Sequence, residues 1–154
     1  MSQDLNNSTE SLAAVYAKKI RTIRTRSCLL EIPERENEVA VLHTLLGVEL
    51  QVGRRRFSCP DLATARYMRV FARLGCREFA IPYDITKIST LADELETAWQ
   101  SLLLLLETRS GGLSDQQRKR RRSSRLKSIR SEVAEIGPGE KMPEFNQSTK
   151  QSKS

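Results

Sequence analysis

Arginine side chains carry the most concentrated chemistry in this sequence. Arg54, Arg55 and Arg56 are consecutive in the stretch GRRRFSCPD, residues 53–61. A guanidinium binds a phosphate through two parallel hydrogen bonds and stacks on purine rings better than an ammonium does. Because three adjacent cations repel one another, the triplet is either a solvated surface turn or part of a site for an anionic ligand.

Further residues near the triplet extend this candidate site. Arg24 and Arg26 precede one predicted strand and the triplet follows another, so we expect the two groups to converge at one edge of a sheet. The carboxylate of Asp61 can accept hydrogen bonds from the N1–H and N2–H₂ donors of guanine. The sequence therefore predicts a ligand site made of Arg24, Arg26, Arg54, Arg55, Arg56 and Asp61.

Catalytic and metal-binding patterns are missing from the sequence. It contains no GxSxG, no GxGxxG and no phosphate-binding loop with a GK[ST] ending. His43 is the only histidine, and Cys28, Cys59 and Cys76 form no CxxC pair, which indicates reduced thiols rather than a metal site. We expect a non-enzyme with no catalytic residue, no metal and no cofactor other than its ligand.

The charge of the chain is unevenly distributed. The formal net charge is +7, but residues 110–154 hold 11 basic against 5 acidic residues and residues 1–109 hold 15 against 14. An alternative interpretation is a nucleic-acid-binding or transcription-associated protein. It would use the basic tail, which contains RKRRRSSR, together with a helix face bearing Arg66, Arg69 and Arg73.

Hydrophobic periodicity predicts an α+β protein with a small three-stranded sheet covered by about four helices. The predicted helices cover 9–26, 34–46, 60–74 and 89–109, and the predicted strands cover 28–32, 48–52 and 76–82. We expect a disordered N-terminus over 1–8, one ligand-sensing domain over 9–110, and a disordered basic tail over 111–154 that begins at a Gly-Gly pair.

Five consecutive leucines, residues 102–106, give the last predicted helix an apolar surface around its whole circumference. The surplus is either deeply buried or lies at a subunit interface, for which we select Trp99, Leu102, Leu103 and Leu106. No apolar run reaches about 18 residues and the first residues do not resemble a secretion signal. We therefore expect no membrane span and a cytoplasmic location.

Residues 54–100, RRRFSCPDLATARYMRVFARLGCREFAIPYDITKISTLADELETAWQ, resemble the core of a group of small cyanobacterial proteins. This group contains the cyclic-di-GMP receptor that controls cell size. The resemblance covers about residues 10–109 and implies a non-catalytic homodimer that holds cyclic-di-GMP at its subunit interface. It also implies signalling through a protein partner, a transcription regulator. The RxxxR…[DN]xSxxG pattern of PilZ receptors is absent, so a different type of site is implied.

Overall fold

The computed structural model describes residues 11–138, which form four helices and five strands. In chain order these are α1 (Leu12–Ile20), β1 (Thr25–Leu29), β2 (Val39–Thr44), β3 (Gly47–Val52), β4 (Arg55–Cys59), α2 (Leu62–Leu74), β5 (Glu78–Pro82), α3 (Ile85–Arg109) and α4 (Asp115–Ile136). The α+β class is confirmed. The segment predicted to be disordered at 1–8 lies outside the described residues.

The strands of the described chain form two antiparallel sheets. A three-stranded meander has the order β2-β3-β4, and a separate two-stranded sheet pairs β1 with β5. The predicted three-stranded sheet therefore exists, but only one of its predicted strands, 48–52, belongs to it. The other two predicted strands correspond to β1 and β5, which pair with each other.

The predicted helix over 34–46 is wrong, because its second half is strand β2. Val39 and Val41 are β-branched and lie on the same face of the strand, and their register partners on β3 are Val52 and Leu50. The apolar spacing of this segment fits a helix as well as a strand. Pairing with the next strand through a two-residue turn decides between them.

The first helix is also shorter than the sequence predicts. It begins after Ser11, whose Oγ accepts a hydrogen bond from the Ala14 N–H at 3.1 Å, and it ends at Ile20 rather than near residue 26. Thr25 already belongs to β1, where its partner is Pro82 on β5. The basic residues of this region are therefore divided between a helix end, a turn and a strand.

An aromatic cluster fills the centre of the core and joins α1, α2 and β5. Phe71 and Phe79 stack with ring centroids 4.4 Å apart, and Tyr16 meets Phe71 edge to face at 5.3 Å. The Tyr16 hydroxyl accepts from the Ala80 N–H at 2.8 Å and donates to the Gly137 carbonyl at 2.6 Å. This tyrosine therefore ties the end of α4 to the centre of the domain.

The prediction of disorder over 111–154 is wrong for the part that forms α4. Ser114 and Gln117 form a reciprocal capping box at the start of this helix. Leu126, Ile129 and Val133 are buried in the core at helical spacing. The helix thus completes the domain rather than following it, and residues 139–154 lie outside the described part of the chain.

Within residues 11–138, no helix is long and apolar enough to cross a membrane.

Candidate ligand-binding site

The structure separates the three arginines of the triplet. Gly53 and Arg54 form the turn between β3 and β4, and Arg55 and Arg56 belong to β4 instead of a strand-to-helix loop. Successive strand residues point to opposite faces. Arg55 accordingly donates to the Glu31 carbonyl at 3.0 Å, whereas Arg56 pairs with Glu49 at 3.4 Å on the other face.

Arg24 and Arg26 do not join the triplet. Arg24 precedes β1 and lies over the Tyr83 ring at 5.2 Å, and Arg26 faces Ile81 in the two-stranded sheet. The five residues of β1, about 17 Å of strand, separate this end from Glu31, which Arg55 contacts. The expectation that both groups meet at one sheet edge is wrong because they lie on different sheets.

Asp61 has a structural role that accounts for one of its oxygens. It is the N-cap of α2, and its Oδ1 accepts from the Thr64 N–H at 2.8 Å. A carboxylate in this position satisfies an otherwise unpaired amide and complements the positive end of the helix. Within residues 11–138, no hydrogen bond or ion pair joins Asp61 to Arg24 or Arg26.

The arginine row of α2 divides into two parts. Arg66 hydrogen-bonds to both Asp93 and Glu96 on α3, and Arg69 hydrogen-bonds to Glu96. Burial alone would raise the pKa of Glu96, but the hydrogen bonds from the two arginines outweigh it and the pKa is lowered. We call these four residues the ion-pair cluster. Arg66 and Arg69 therefore pair with acidic side chains of α3 and do not form a free cationic surface.

Arg73, one turn further along α2, has no such partner. Its guanidinium is half-buried and makes no hydrogen bond or ion pair with any residue from 11 to 138. Burial lowers the pKa of Arg73, the neighbouring Arg69 lowers it further, and the more distant Glu96 raises it. Partial burial of a cation that has no carboxylate partner carries a cost, so this position suits an anion supplied from outside the chain.

Arg73 lines a cavity of about 670 Å³. The cavity lies between the end of α2, the strands β2 and β3, the middle of α3 and one residue of α4. Its volume is within the range of roughly 300–1,000 Å³ that is typical of small-molecule sites. The lining residues are Glu36, Asn37, Glu38, Val39, Ala40, Gln51, Gly53, Arg73, Trp99, Gln100, Leu103 and Arg122.

The cavity combines an apolar wall with polar side chains. Trp99 and Leu103 provide the apolar part, and the side-chain amides of Gln51 and Gln100 provide donors and acceptors. Arg122 reaches the cavity from α4 and is held by Glu36, with Nε 2.7 Å from Oε1. An anionic group can bind the Arg73 fork while amides read the edges of an attached ring.

The triplet borders this cavity instead of forming a site of its own. Gly53 lines the cavity, and Arg54 is the next residue in the same turn. Gln51, another lining residue, is the register partner of Arg56. The sequence identified Arg73 only as part of a surface row. What distinguishes Arg73 is that α3 has no acidic residue opposite it, one turn beyond Glu96. This difference is apparent only when the packing of α2 against α3 is known.

The predicted interface residues are mostly core residues of a single chain. Trp99 is 3% exposed and Leu102 is 8% exposed, so neither is accessible to a second subunit. Leu103 and Leu106 are partly buried against the same core. Leu104, which we did not select, is 66% exposed. The leucine run is therefore partly explained by packing of the helix against α1 and α2, and Leu104, beside cavity-lining Leu103, stays exposed.

The protonation of the cysteine thiols and the grouping of possible metal ligands indicate what other chemistry residues 11–138 support. Burial raises the pKa of Cys59 to about 11 and that of Cys76 to about 12, so both remain protonated near neutral pH. Burial also raises the pKa of Cys28. Among residues 11–138, no three His, Cys, Asp or Glu side chains are grouped as metal ligands.

No protein-family model, no curated protein and no solved structure matches the chain. The fold and the site therefore define it only as a small α+β protein with a ligand-sized cavity that contains an unpaired arginine.

Proposed function

We propose that this protein is a non-catalytic receptor for cyclic-di-GMP, in which the Arg73 cavity holds the dinucleotide. The observation that carries the proposal is the half-buried, unpartnered guanidinium of Arg73 in a cavity of about 670 Å³. A phosphate would give this cation the partner that residues 11–138 do not provide. Hydrogen bonds to charged groups contribute roughly 1.5–3 kcal/mol, which is enough to define an anchor.

The other lining residues favour a nucleotide over a simple anion. Inorganic phosphate would occupy a small part of the volume and would leave Gln51, Gln100 and the apolar wall of Trp99 and Leu103 without a role. A guanine ring presents donors and acceptors on one edge and an apolar face, which the amides and the apolar wall complement. Arg54, next to the lining residue Gly53, would add a second cation at the rim.

A homodimer with the ligand between its subunits fits the position of the exposed leucine. Leu103 lines the cavity and the adjacent Leu104 is 66% exposed, so a contact through Leu104 would lie beside the cavity opening. A two-fold interface places the same residues of both chains around one axis. Cyclic-di-GMP has two identical halves and would match that symmetry.

The β2–β3 hairpin provides a surface for the proposed protein partner. Its two turn residues, Leu45 and Leu46, are 106% and 95% exposed relative to an extended reference. Short hairpin turns favour Asn and Gly, and nothing in turn geometry requires two leucines. Exposed apolar groups of this kind are typical of protein contacts, and we assign this tip to the partner, which we expect to be a transcription regulator.

Isothermal titration of the full chain with cyclic-di-GMP tests the proposal. We expect a dissociation constant below roughly 50 μM, which corresponds to about −6 kcal/mol, and little heat with cyclic-di-AMP or inorganic phosphate. Arg73→Gln should weaken binding by about 10–100-fold, since it removes a charged hydrogen bond. Lys18→Gln removes the same charge from the exposed surface of α1 and should bind like the wild type.

Two results would contradict the proposal. Absence of heat from the wild type at 50 μM protein, a concentration of about the expected dissociation constant, would remove cyclic-di-GMP as the ligand. Equal binding by the Arg73→Gln and Lys18→Gln variants would remove the cavity as the site. The oligomeric state of the Leu104→Glu variant, measured by sedimentation with and without ligand, tests the proposed dimer separately.

A further inference from the structure

We propose that α4 binds the phosphate backbone of duplex DNA through a basic helix face. We give the name basic helix face to five exposed residues, Arg118, Lys119, Arg120, Arg125 and Lys127. Successive residues of a helix are about 100° apart, so these cations surround the exposed part of α4 and do not form a single stripe. The inference does not depend on the ligand of the cavity, because it concerns a different surface and a different chemistry.

The first observation is an acid-free run of positive charge on a folded helix. Residues 116–131 contain eight basic residues and no Asp or Glu. Pairs such as Arg118 and Arg122, or Arg121 and Arg125, are four residues apart, and like charges at this spacing destabilise a helix. A helix that keeps such pairs gains stability when a polyanion neutralises them.

The second observation is that only three of these eight cations have a side-chain partner within the described part of the chain. Arg122 pairs with Glu36, Arg121 donates to the Arg109 carbonyl at 3.2 Å, and Arg130 donates to the Leu74 carbonyl at 2.7 Å. The five residues of the basic helix face are exposed. Their side chains make no hydrogen bond or ion pair with the rest of residues 11–138.

The structure also holds this face in an accessible position. Leu126, Ile129 and Val133 bury one side of α4 in the core, and Tyr16 binds the carbonyl of Gly137 just past the helix end. The first half is different, because every residue from 114 to 121 is exposed. Helix α4 is therefore held by core packing in its second half, and its first half, which bears most of the basic helix face, is open to solvent.

The composition of the exposed surface favours DNA over a membrane. A helix that binds at a bilayer surface needs an apolar face to insert into the lipid. The apolar residues of α4 are already buried in the core, and the exposed neighbours of the cations include Ser123, Ser124 and Ser128. Serine hydroxyls, like arginine and lysine, are common donors to phosphate oxygens.

The same surface also favours DNA over an acidic protein. Protein interfaces usually contain a central aromatic or large apolar anchor, and residues 116–131 contain no aromatic residue at all. At about 1.5 Å per residue, the five residues of the basic helix face, which lie between 118 and 127, span about 14 Å, the length of roughly four base pairs. Because these cations surround the helix, they can reach phosphates on both sides of a groove. The absence of Asn from residues 116–131 and their single exposed Gln pair at 116–117 predict little base recognition.

Fluorescence anisotropy with a labelled duplex of about 25 base pairs tests the inference on the full chain. With five phosphate contacts, the affinity should fall by about 10²–10³-fold between 50 and 200 mM salt. The triple variant Arg118→Gln, Lys119→Gln, Arg120→Gln should bind more weakly at 50 mM salt. Its affinity should fall only about tenfold over the same salt range, since three contacts are lost.

A matched control removes three exposed charges elsewhere, with Lys18→Gln, Arg21→Gln and Lys87→Gln. This control should retain the salt dependence of the wild type, and circular dichroism should show that both triple variants are folded. The inference is overturned if the two triple variants lose affinity equally, or if the wild type does not bind the duplex at 50 mM salt. Tighter binding to phosphatidylserine vesicles than to the duplex would also overturn it.

Discussion

Helix α2 contains two arginine environments one turn apart, and their difference identifies the candidate site. In the ion-pair cluster, Arg66 and Arg69 face Asp93 and Glu96 on α3. Arg73 lies beyond the last of these acids and lines the cavity. The residue type is the same in both places, so the function of each arginine depends on which residues of α3 lie opposite it.

The comparison also explains why clustered arginines are a weak signal by themselves. Arg55 and Arg56 contact Glu31 and Glu49, and Arg122 contacts Glu36, so each of these cations has a partner within the chain. Arg73 differs from them in being both half-buried and unpartnered. An arginine that carries a desolvation cost without a partner among the described residues is a better ligand candidate than an exposed triplet.

Removing Glu96 should have the largest effect on stability. Glu96→Gln leaves Arg66 with only Asp93 and leaves Arg69 without a carboxylate, although Nε of Arg69 already has no hydrogen-bond partner among residues 11–138. Breaking a buried pair from one side costs about 3–5 kcal/mol, and partial exposure of this cluster reduces the expected loss to about 2 kcal/mol. Urea denaturation measures it.

Glu94→Gln is the control for this variant. Glu94 lies on the same helix and pairs with Lys19 at 3.6 Å near the surface. Exposed pairs contribute about 0–1 kcal/mol, so this variant should unfold close to the wild-type midpoint. Equal losses for the two variants would mean that the ion-pair cluster has no special role.

The ion-pair cluster should also make stability depend on pH. The pKa of Glu96 in the folded chain lies below its ordinary value of 4.5, since the hydrogen bonds from Arg66 and Arg69 outweigh the effect of burial. The folded state therefore binds the proton less readily than the unfolded state. This contribution is complete above about pH 4.5 and is lost as the pH falls through the folded value.

A comparison of variants isolates this contribution from the other acids. Wild type should lose stability more steeply than Glu96→Gln when urea denaturation is repeated from pH 6 down to about pH 3. Asp84, the N-cap of α3, also has a lowered pKa because it accepts hydrogen bonds from Thr86, but both proteins contain it. Parallel pH curves for the two proteins would show that Glu96 is not the group responsible.

The sequence predicted the elements whose local signals agree with their packing. Helix α2 was predicted as 60–74 and observed as Leu62–Leu74, with Asp61 at its N-cap and Gly75 in the left-handed conformation at its end. The fold class followed from such segments. Strand β2 was missed because the apolar spacing of 39–46 also fits a helix, and only its pairing with β3 excludes the helix.

The site was harder to predict because it depends on distant residues. Arg73 and Gln51 come from different elements, and Arg122 comes from a segment predicted to be disordered on composition. The signals for α4 were present in the capping pair Ser114 and Gln117 and in the spacing of Leu126, Ile129 and Val133. Eight basic residues obscured that pattern by lowering the mean hydropathy of the segment.

Arg73→Gln should leave folding almost unchanged, in contrast to the loss expected for Glu96→Gln. The substitution removes a desolvated cation that has no partner within residues 11–138 and relieves its repulsion with Arg69. We expect a change in the free energy of unfolding between about 0 and 1 kcal/mol in the stabilising direction. Urea denaturation without ligand measures it, and a loss above 1 kcal/mol would show that Arg73 holds the fold together.

Substitutions of Arg54, at the rim of the cavity, and of Arg56, in β4, should have the smallest effects on stability. Arg54→Ala and Arg56→Ala should each change stability by less than about 0.5 kcal/mol, because Arg54 is exposed and the Arg56 pair with Glu49 is largely solvated. Ligand titration should separate them, since Arg54 follows cavity-lining Gly53 whereas Arg56 is held by Glu49. We expect weaker cyclic-di-GMP binding for Arg54→Ala than for Arg56→Ala. The reverse order would mean that Arg56 in β4, and not Arg54 in the turn, contacts the ligand. The ligand would then lie at a different edge of the cavity.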